Sequence, residues 1–303
     1  MSTPDPKDLP FNSPVVPEMV DGSKAIRFQC RKGIACWNAC CSNIDISLTP
    51  YDILRLKRRL GMASAQFLQQ YAVPYELEKD GIAGVKLKPV SGGSACQFMT
   101  ADGCSVYEDR PTACRYYPVA LLSMRKQDEY TDTHSYALVK EAHCLGHNEP
   151  RSLTIDEYRA EQGLPEYDEQ GRGWRQLVLK KMSSGPAVGK PSVKSRQLFF
   201  MTCYDIDTFR AFVDSGPFNE LYDVPEAERQ AMLGDTLEAE QRLLQFGYRF
   251  LRQVLFGEES IALHKEAADK RRAQAREKAQ RAEREAAERL AREEDAYDAG
   301  FDD

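Results

Sequence analysis

Phe28-Gln-Cys30-Arg-Lys-Gly33-Ile-Ala-Cys36-Trp-Asn-Ala-Cys40-Cys41-Ser42 sets four cysteines in one short stretch, spaced C-x5-C-x3-C-C. Cysteines this close let one loop offer several sulfurs to one centre with little loop-closure entropy, and Gly33 permits the tight path. The adjacent pair Cys40 and Cys41 adds information. Neighbouring side chains diverge, so a single tetrahedral ion seldom takes both, and two ions or a polynuclear cluster use the pair more naturally.

Working outward, a second group runs Cys96-Gln-Phe-Met-Thr-Ala-Asp102-Gly103-Cys104-Ser-Val-Tyr107-Glu108-Asp109-Arg110-Pro111-Thr-Ala-Cys114-Arg115-Tyr-Tyr-Pro118. Asp102-Gly103 is a turn signal that presents Cys104 at the start of a short strand, Ser105 to Tyr107. Pro111 suits the first position of a short helix that Pro118 ends. Cys114 then sits in its first turn, where free amides and the dipole favour a thiolate. Arg110 and Arg115 flank it; they either neutralise an anionic thiolate cluster or pair with Glu108 and Asp109. Cys144 completes the set in Glu141-Ala-His143-Cys144-Leu-Gly-His147, and His134, His143 and His147 lie in the same part of the chain, where imidazole can replace a thiolate. Only Cys203 stands apart.

The chain of 303 residues carries a net charge of -6, which does not suggest a global nucleic-acid binder. No apolar run approaches the roughly 18 residues of a membrane span, and the proline-rich start lacks a basic region followed by an apolar one, so the expectation is a cytoplasmic protein. A reducing cytosol disfavours disulfides, and nine cysteines cannot all pair. Metal ligation is the remaining use for so dense a group. Eight thiolates can fill two zinc sites, two cubane iron-sulfur clusters, or one cluster with further cysteines beside it.

Four segments follow from the pattern. Residues 1–24 read as a flexible leader arm. Residues 25–150 form a cysteine-cluster metal-binding domain. In it, Thr49-Pro50-Tyr51-Asp52 marks a helix start, Ile53, Leu54, Leu56 and Leu60 an apolar stripe, and Gly61 a stop. A second helix is expected over Ser64 to Tyr71, a hairpin from Tyr75 to Val90, and a weaker strand signal between Leu121 and Val139. Residues 151–259 read as a helical region packed on that domain. Thr154 and Glu157 are spaced as a capping box with Gly163 as a stop, further helices fall near 168–182 and 207–214, and one long helix runs from about Pro225 to Phe256. Residues 260–303 form a charged, solvent-exposed helical tail in which Glu266 and Lys270, Glu277 and Arg281, Glu285 and Arg289, and Glu288 and Arg292 sit four apart. Between Lys265 and the end Leu290 is the only large aliphatic residue, so no heptad seam drives a coiled coil. Interleaved acids nearly cancel the bases, which argues against a nucleic-acid arm.

At the cysteine groups the sequence resembles the YkgJ-type cysteine-cluster family of zinc- or iron-chelating domains. The matching parts are the group ending in Cys40-Cys41, the segment from Gly103 to Pro118, and the corner Cys144-Leu-Gly146. The family's first motif is tighter, with two residues where this chain has five and three, and Cys30 departs from it most. The resemblance implies a metal-handling protein, often described as an iron-sulfur oxidoreductase. A related cysteine domain resembles part of a flagellin lysine N-methylase, which uses an iron-sulfur cluster and a methyl donor, but no Gly-rich donor-binding loop stands in this sequence.

The expected fold is α+β and helix-dominated: an irregular cysteine-rich metal core with short antiparallel strands, packed by helices, and a long charged C-terminal helix. The expected ligands are Cys30, Cys36, Cys40, Cys41, Cys96, Cys104, Cys114 and Cys144, with Arg110 and Arg115 beside them. The expected cofactor is an iron-sulfur cluster, 4Fe-4S, or in the alternative zinc. Three functions follow: a redox or methyl-transfer enzyme, a zinc-stabilised binding module, or a metal carrier acting on a protein or small-molecule partner. No catalytic residue is assigned; Ser94 and Cys203 have no recognisable base.

Overall fold

The structure, a computed structural model, describes residues 19–77, 82–122, 135–183 and 191–299. Val20 exchanges backbone hydrogen bonds with Tyr136 at 2.9 and 2.8 Å, which ties the chain down from that point. Strand β1 (Ala25–Arg27) precedes the first cysteine loop, and β2 (Ser47–Leu48) follows it. Helix α1 (Pro50–Arg59) starts on a capping box: Asp52 N donates to Thr49 Oγ1 at 3.1 Å, and Asp52 Oδ2 accepts from Thr49 N at 2.8 Å. Its buried face carries Tyr51, Ile53, Leu54 and Leu56, as the apolar stripe requires. Helix α2 (Ser64–Tyr71) feeds β3 (Ala72–Leu77), which pairs antiparallel with β4 (Ile82–Leu87). The expected hairpin is therefore present, starting earlier than expected and ending at Leu87. It gains β2 as a third strand, in the order β2-β4-β3.

The second cysteine group opens on the two-residue strands β5 (Met99–Thr100) and β6 (Gly103–Cys104). The strand expected over Ser105 to Tyr107 does not form. Ser105 N still bonds Phe98 O at 2.9 Å, but Tyr107–Asp109 closes into a 3-10 turn, because Asp109 N reaches back to Val106 O at 2.8 Å. Helix α3 (Thr112–Tyr116) then carries Cys114. Strands β7 (Val119–Leu122) and β8 (Ser135–Leu138) pair antiparallel, matching the strand signal in that region. Strand β9 (Ser152–Thr154) returns to pair with β1, so the two ends of the cysteine-bearing segment are stitched together.

From Thr154 the chain is helical: α4 (Ile155–Glu161), α5 (Leu164–Met182), α6 (Val193–Tyr204), α7 (Ile206–Val213), α8 (Gly216–Leu221), α9 (Glu226–Leu233), α10 (Leu237–Phe256) and α11 (Lys265–Ala299). The single long helix expected over Pro225 to Phe256 is two. The chain leaves the helix at Gly234, and Thr236 caps a new start by accepting Ala239 N at 3.1 Å. Every strand pairing among the described residues is antiparallel, so the α+β, helix-dominated expectation holds.

Two hydrophobic clusters support these elements. The larger joins α1, α2 and the three-stranded sheet to α5, α6, α7, α8 and α10. A buried ion network crosses the same junction: Glu240 accepts Lys57 Nζ at 2.7 Å, Arg58 at 3.0 Å and Arg210 at 2.6 Å, and Lys57 also holds Asp207 at 2.8 Å. The smaller cluster gathers Ile26, Phe28, Tyr116, Val119, Tyr136, Leu153, Ile155, Tyr158 and Leu164. Cys41, Cys96 and Cys104 pack on the first cluster and Cys144 on the second, so the cysteine loops occupy the seam between the two.

Candidate metal centre

Hydrogen bonds pin each cysteine loop. Gly33 takes φ +94°, as the tight path requires, and Asn38 takes φ 66°, a left-handed conformation that asparagine tolerates better than most residues. Asn38 Nδ2 donates to Thr100 O at 2.9 Å and fastens the first cysteine loop to β5. Cys96 N donates to Cys41 O at 2.8 Å. Gln29 N donates to Gly146 O at 3.1 Å, and a Cβ on Gly146 would stand 2.7 Å from the Phe28 ring, so only glycine allows this approach. These contacts bring the first group, the second group and the Cys144 corner into one neighbourhood.

Within it the sulfurs act on one another. Cys40 Sγ and Cys41 Sγ are 3.9 Å apart, and Leu145 N donates to Cys36 Sγ at 3.3 Å. The shared hydrogen bond holds the exposed Cys40 thiol below its usual range and drives Cys41 far above it, with burial and the charges of Cys40, Cys96 and Cys114 adding to the rise at Cys41. Burial, then the charges of Cys40, Cys36 and Cys144, push Cys30 up to about 11. Burial likewise raises Cys96, Cys104 and Cys114; at Cys114 the charges of Cys96, Asp52, Cys104 and Cys40 follow. Cys40 is thus within electrostatic reach of thiols from both groups, and no disulfide joins any of them. Cys203 lies buried in the large cluster, away from these contacts.

Arg110 and Arg115 take different roles. The Arg110 guanidinium sits 3.9 Å over the Tyr107 ring and donates to Tyr107 O at 2.7 Å, and its charge favours the thiolate forms of Cys30 and Cys104. Arg115 is spent on the fold: its guanidinium donates to Arg110 O at 3.0 Å, Gln162 O at 2.6 Å, Tyr167 Oη at 3.0 Å and Glu108 O. The Asp109 carboxylate pairs with Arg55 at 2.7 Å. His147 Nε2 lies 3.1 Å from Val139 O and its ring packs on Phe28, while His143 stands 3.6 Å from Glu141; His134 is outside the described residues.

Sequence reasoning passed over three further features. Trp37 Nε1 is buried and has no hydrogen-bond partner among the described residues, and the Tyr117 hydroxyl is buried as well. The Trp37 ring lies against Gly103, next to Cys104. The tyrosine hydroxyl faces Cys144 and Glu141, and burial, then these two groups, keep it protonated. Asp52 is the third; its carboxylate reaches Thr112 at the start of α3. The spacing of a capping box announces the first oxygen of Asp52, and nothing in the sequence announces the second.

Among the described residues, no three His, Cys, Asp or Glu side chains are arranged to hold a metal ion as they are placed. The chemistry of the donors nonetheless fits a thiophilic metal. Thiolates select zinc and iron-sulfur clusters, a bound cation favours the thiolate form that burial disfavours at these cysteines, and the Tyr117 hydroxyl lies beside Cys144, where it can donate to a ligating sulfur.

Residues 29–145 match the model of the CxxCxxCC family, described as a putative zinc- or iron-chelating domain. The match encloses the eight clustered cysteines and leaves out Cys203. No curated protein and no solved structure matches the chain. No helix among the described residues is long and apolar enough to cross a membrane.

Proposed function

We propose that this protein is a cytoplasmic metalloprotein whose clustered cysteines hold an iron-sulfur cluster of the 4Fe-4S type. The observation that carries the reading is the position of Cys40, next to Cys41 at 3.9 Å and within electrostatic reach of Cys30, Cys96, Cys104 and Cys114. One tetrahedral zinc uses four sulfurs, and the crowd here is larger. Such a cluster would supply one-electron redox chemistry or a Lewis-acidic iron. Cys36, Cys40, Cys41, Cys104 and Cys114 are the leading ligands, with Cys30, Cys96 and Cys144 completing or flanking the site and Arg110 offsetting its negative charge. Redox or methyl-transfer chemistry on a protein or small-molecule partner is the activity that this reading favours.

The test is anaerobic purification followed by iron, acid-labile sulfide and zinc analysis. The reading expects iron and sulfide in equal amounts and a brown protein. Zinc alone, tightly held, refutes the cluster and leaves a zinc site; a colourless protein with neither metal refutes both.

A further inference from the structure

We propose that Asp52 is a positioning residue of the metal centre, fixing through Thr112 the short helix that presents Cys114. This rests on the reading of the cysteine group as a metal site.

Asp52 is fully buried, and its two carboxylate oxygens serve two different helices. Oδ2 closes the capping box of α1 by accepting Thr49 N at 2.8 Å. Oδ1 takes no part in that cap; it accepts Thr112 N at 2.8 Å and Thr112 Oγ1 at 2.6 Å. Helix α3 has five residues and begins after Pro111, whose side chain offers no cap. A helix so short cannot hold itself, because its nucleation cost is never recovered. The missing N-terminal acceptor is supplied from α1, sixty residues away along the chain. Cys114 lies two residues beyond Thr112, close enough that the Asp52 charge acts on its thiol.

The far end of α3 is held as well, by the Arg115 contacts to Arg110 O and Gln162 O. Cys114 therefore projects from a peg clamped at both ends, while Cys36 and Cys40 stand on turns. Asp52 forms no ion pair among the described residues; burial raises its carboxyl, and the hydrogen bonds from Thr112 and Thr49 work against that rise.

The experiment compares metal-loaded wild type with Asp52→Ala, Thr112→Val and, as a control for lost stability alone, Thr236→Ala, which removes the cap of α10. Outer-shell partners of a metal site commonly account for about 10–100-fold in metal affinity. Asp52→Ala should speed extraction of the metal by a chelator by a factor in that range and change the sulfur-to-metal absorption bands. Thr112→Val keeps the backbone donor and loses the hydroxyl, so it should give a smaller change of the same kind and decides the matter if Asp52→Ala does not fold. Thr236→Ala should lower the melting temperature and leave extraction and spectrum as in wild type. Wild-type extraction and spectrum in folded Asp52→Ala or Thr112→Val overturn the proposal; equal changes in Thr236→Ala overturn it too. If wild type binds no metal, the metal reading is what fails, and amide exchange over Thr112–Tyr116 still judges the peg: faster exchange in Thr112→Val with Thr236→Ala unchanged supports it, and equal exchange refutes it.

Discussion

Replacing Glu240 by alanine removes the centre of a buried ion network outside the cysteine loops. Its carboxylate is fully buried and receives Lys57 at 2.7 Å, Arg58 at 3.0 Å and Arg210 at 2.6 Å. Lys57 is itself only 5% exposed, so removing Glu240 leaves a buried ammonium with Asp207 as its one remaining carboxylate. Breaking a buried pair in this way costs about 3–5 kcal/mol. Arg58 and Arg210 reach solvent and can rehydrate, which places the expected loss near the lower end, about 3 kcal/mol. The double change Lys57→Met with Glu240→Leu removes both buried charges together and should recover at least about 1 kcal/mol relative to Glu240→Ala. Urea unfolding followed by far-UV circular dichroism, at constant metal load, measures both. The pH dependence gives a second handle. Burial by itself would raise the Glu240 carboxyl, but Lys57, then Arg58 and Arg210, overcome it and hold the group below its ordinary value; Asp207 is lowered by Lys57 and Ser64 against the same burial effect. A carboxyl depressed in the folded state contributes stability above its unfolded pKa, about 4.3 for glutamate, and loses it as pH falls through the folded value. Wild type should therefore lose more stability between about pH 5 and 3 than Glu240→Gln does. A loss under about 0.5 kcal/mol for Glu240→Ala, the size expected of an exposed helix position, would falsify the reasoning.

Three further outcomes follow from the cysteine region. In reduced, metal-free protein at neutral pH, alkylation mapped by mass spectrometry should reach Cys40 before Cys30, since the Cys41 hydrogen bond lowers the first while burial raises the second; equal rates refute the assignment. Gly103→Ala should lower stability by about 1–3 kcal/mol and reduce metal content, because φ is +116° there and the new Cβ would meet the Trp37 ring at 2.9 Å. Cys203→Ala should leave metal content at the wild-type level, and a loss of metal would bring that buried thiol into the site.

The parts of this fold that the sequence announces are those held by near neighbours. Thr49 with Asp52, and Thr154 with Glu157, cap helices three residues from themselves, and their spacing alone is enough to place α1 and α4. The break at Gly234 was legible in principle, since glycine followed by Asp235-Thr236 is a stop and a start; apolar residues recurring on both sides of it, from Met232 and Leu233 to Leu237, Leu243 and Leu244, masked it. Helix α6 escaped because its apolar residues, Leu198, Phe199, Phe200 and Met201, form a block with no face to detect. Pairings over long separations were not legible at all. Nothing in Ala25–Arg27 names Ser152–Thr154 as its partner, and nothing in Asp52 names Thr112. The cysteines stood out for another reason: thiols at these spacings have few uses besides metal, so chemistry identified them before geometry did.

Whether the metal serves the fold or the chemistry can be argued from what lies beneath the cysteines. In a domain built on structural zinc the metal replaces a core too small to stand alone, and chelation unfolds it. Here the loops rest on two hydrophobic clusters and are already held by hydrogen bonds: Cys96 N on Cys41 O, Gln29 N on Gly146 O, and the Asn38 side-chain amide on Thr100 O. Metal removal under reducing conditions should therefore leave the far-UV dichroism nearly unchanged and lower the melting temperature by only several degrees, while the thiols become open to alkylation. Cooperative loss of helix on chelation would sink this argument and move the protein to the class of zinc-stapled binding modules. Metal loss without loss of helix would favour the proposed redox or methyl-transfer reading over a zinc-stapled binding module.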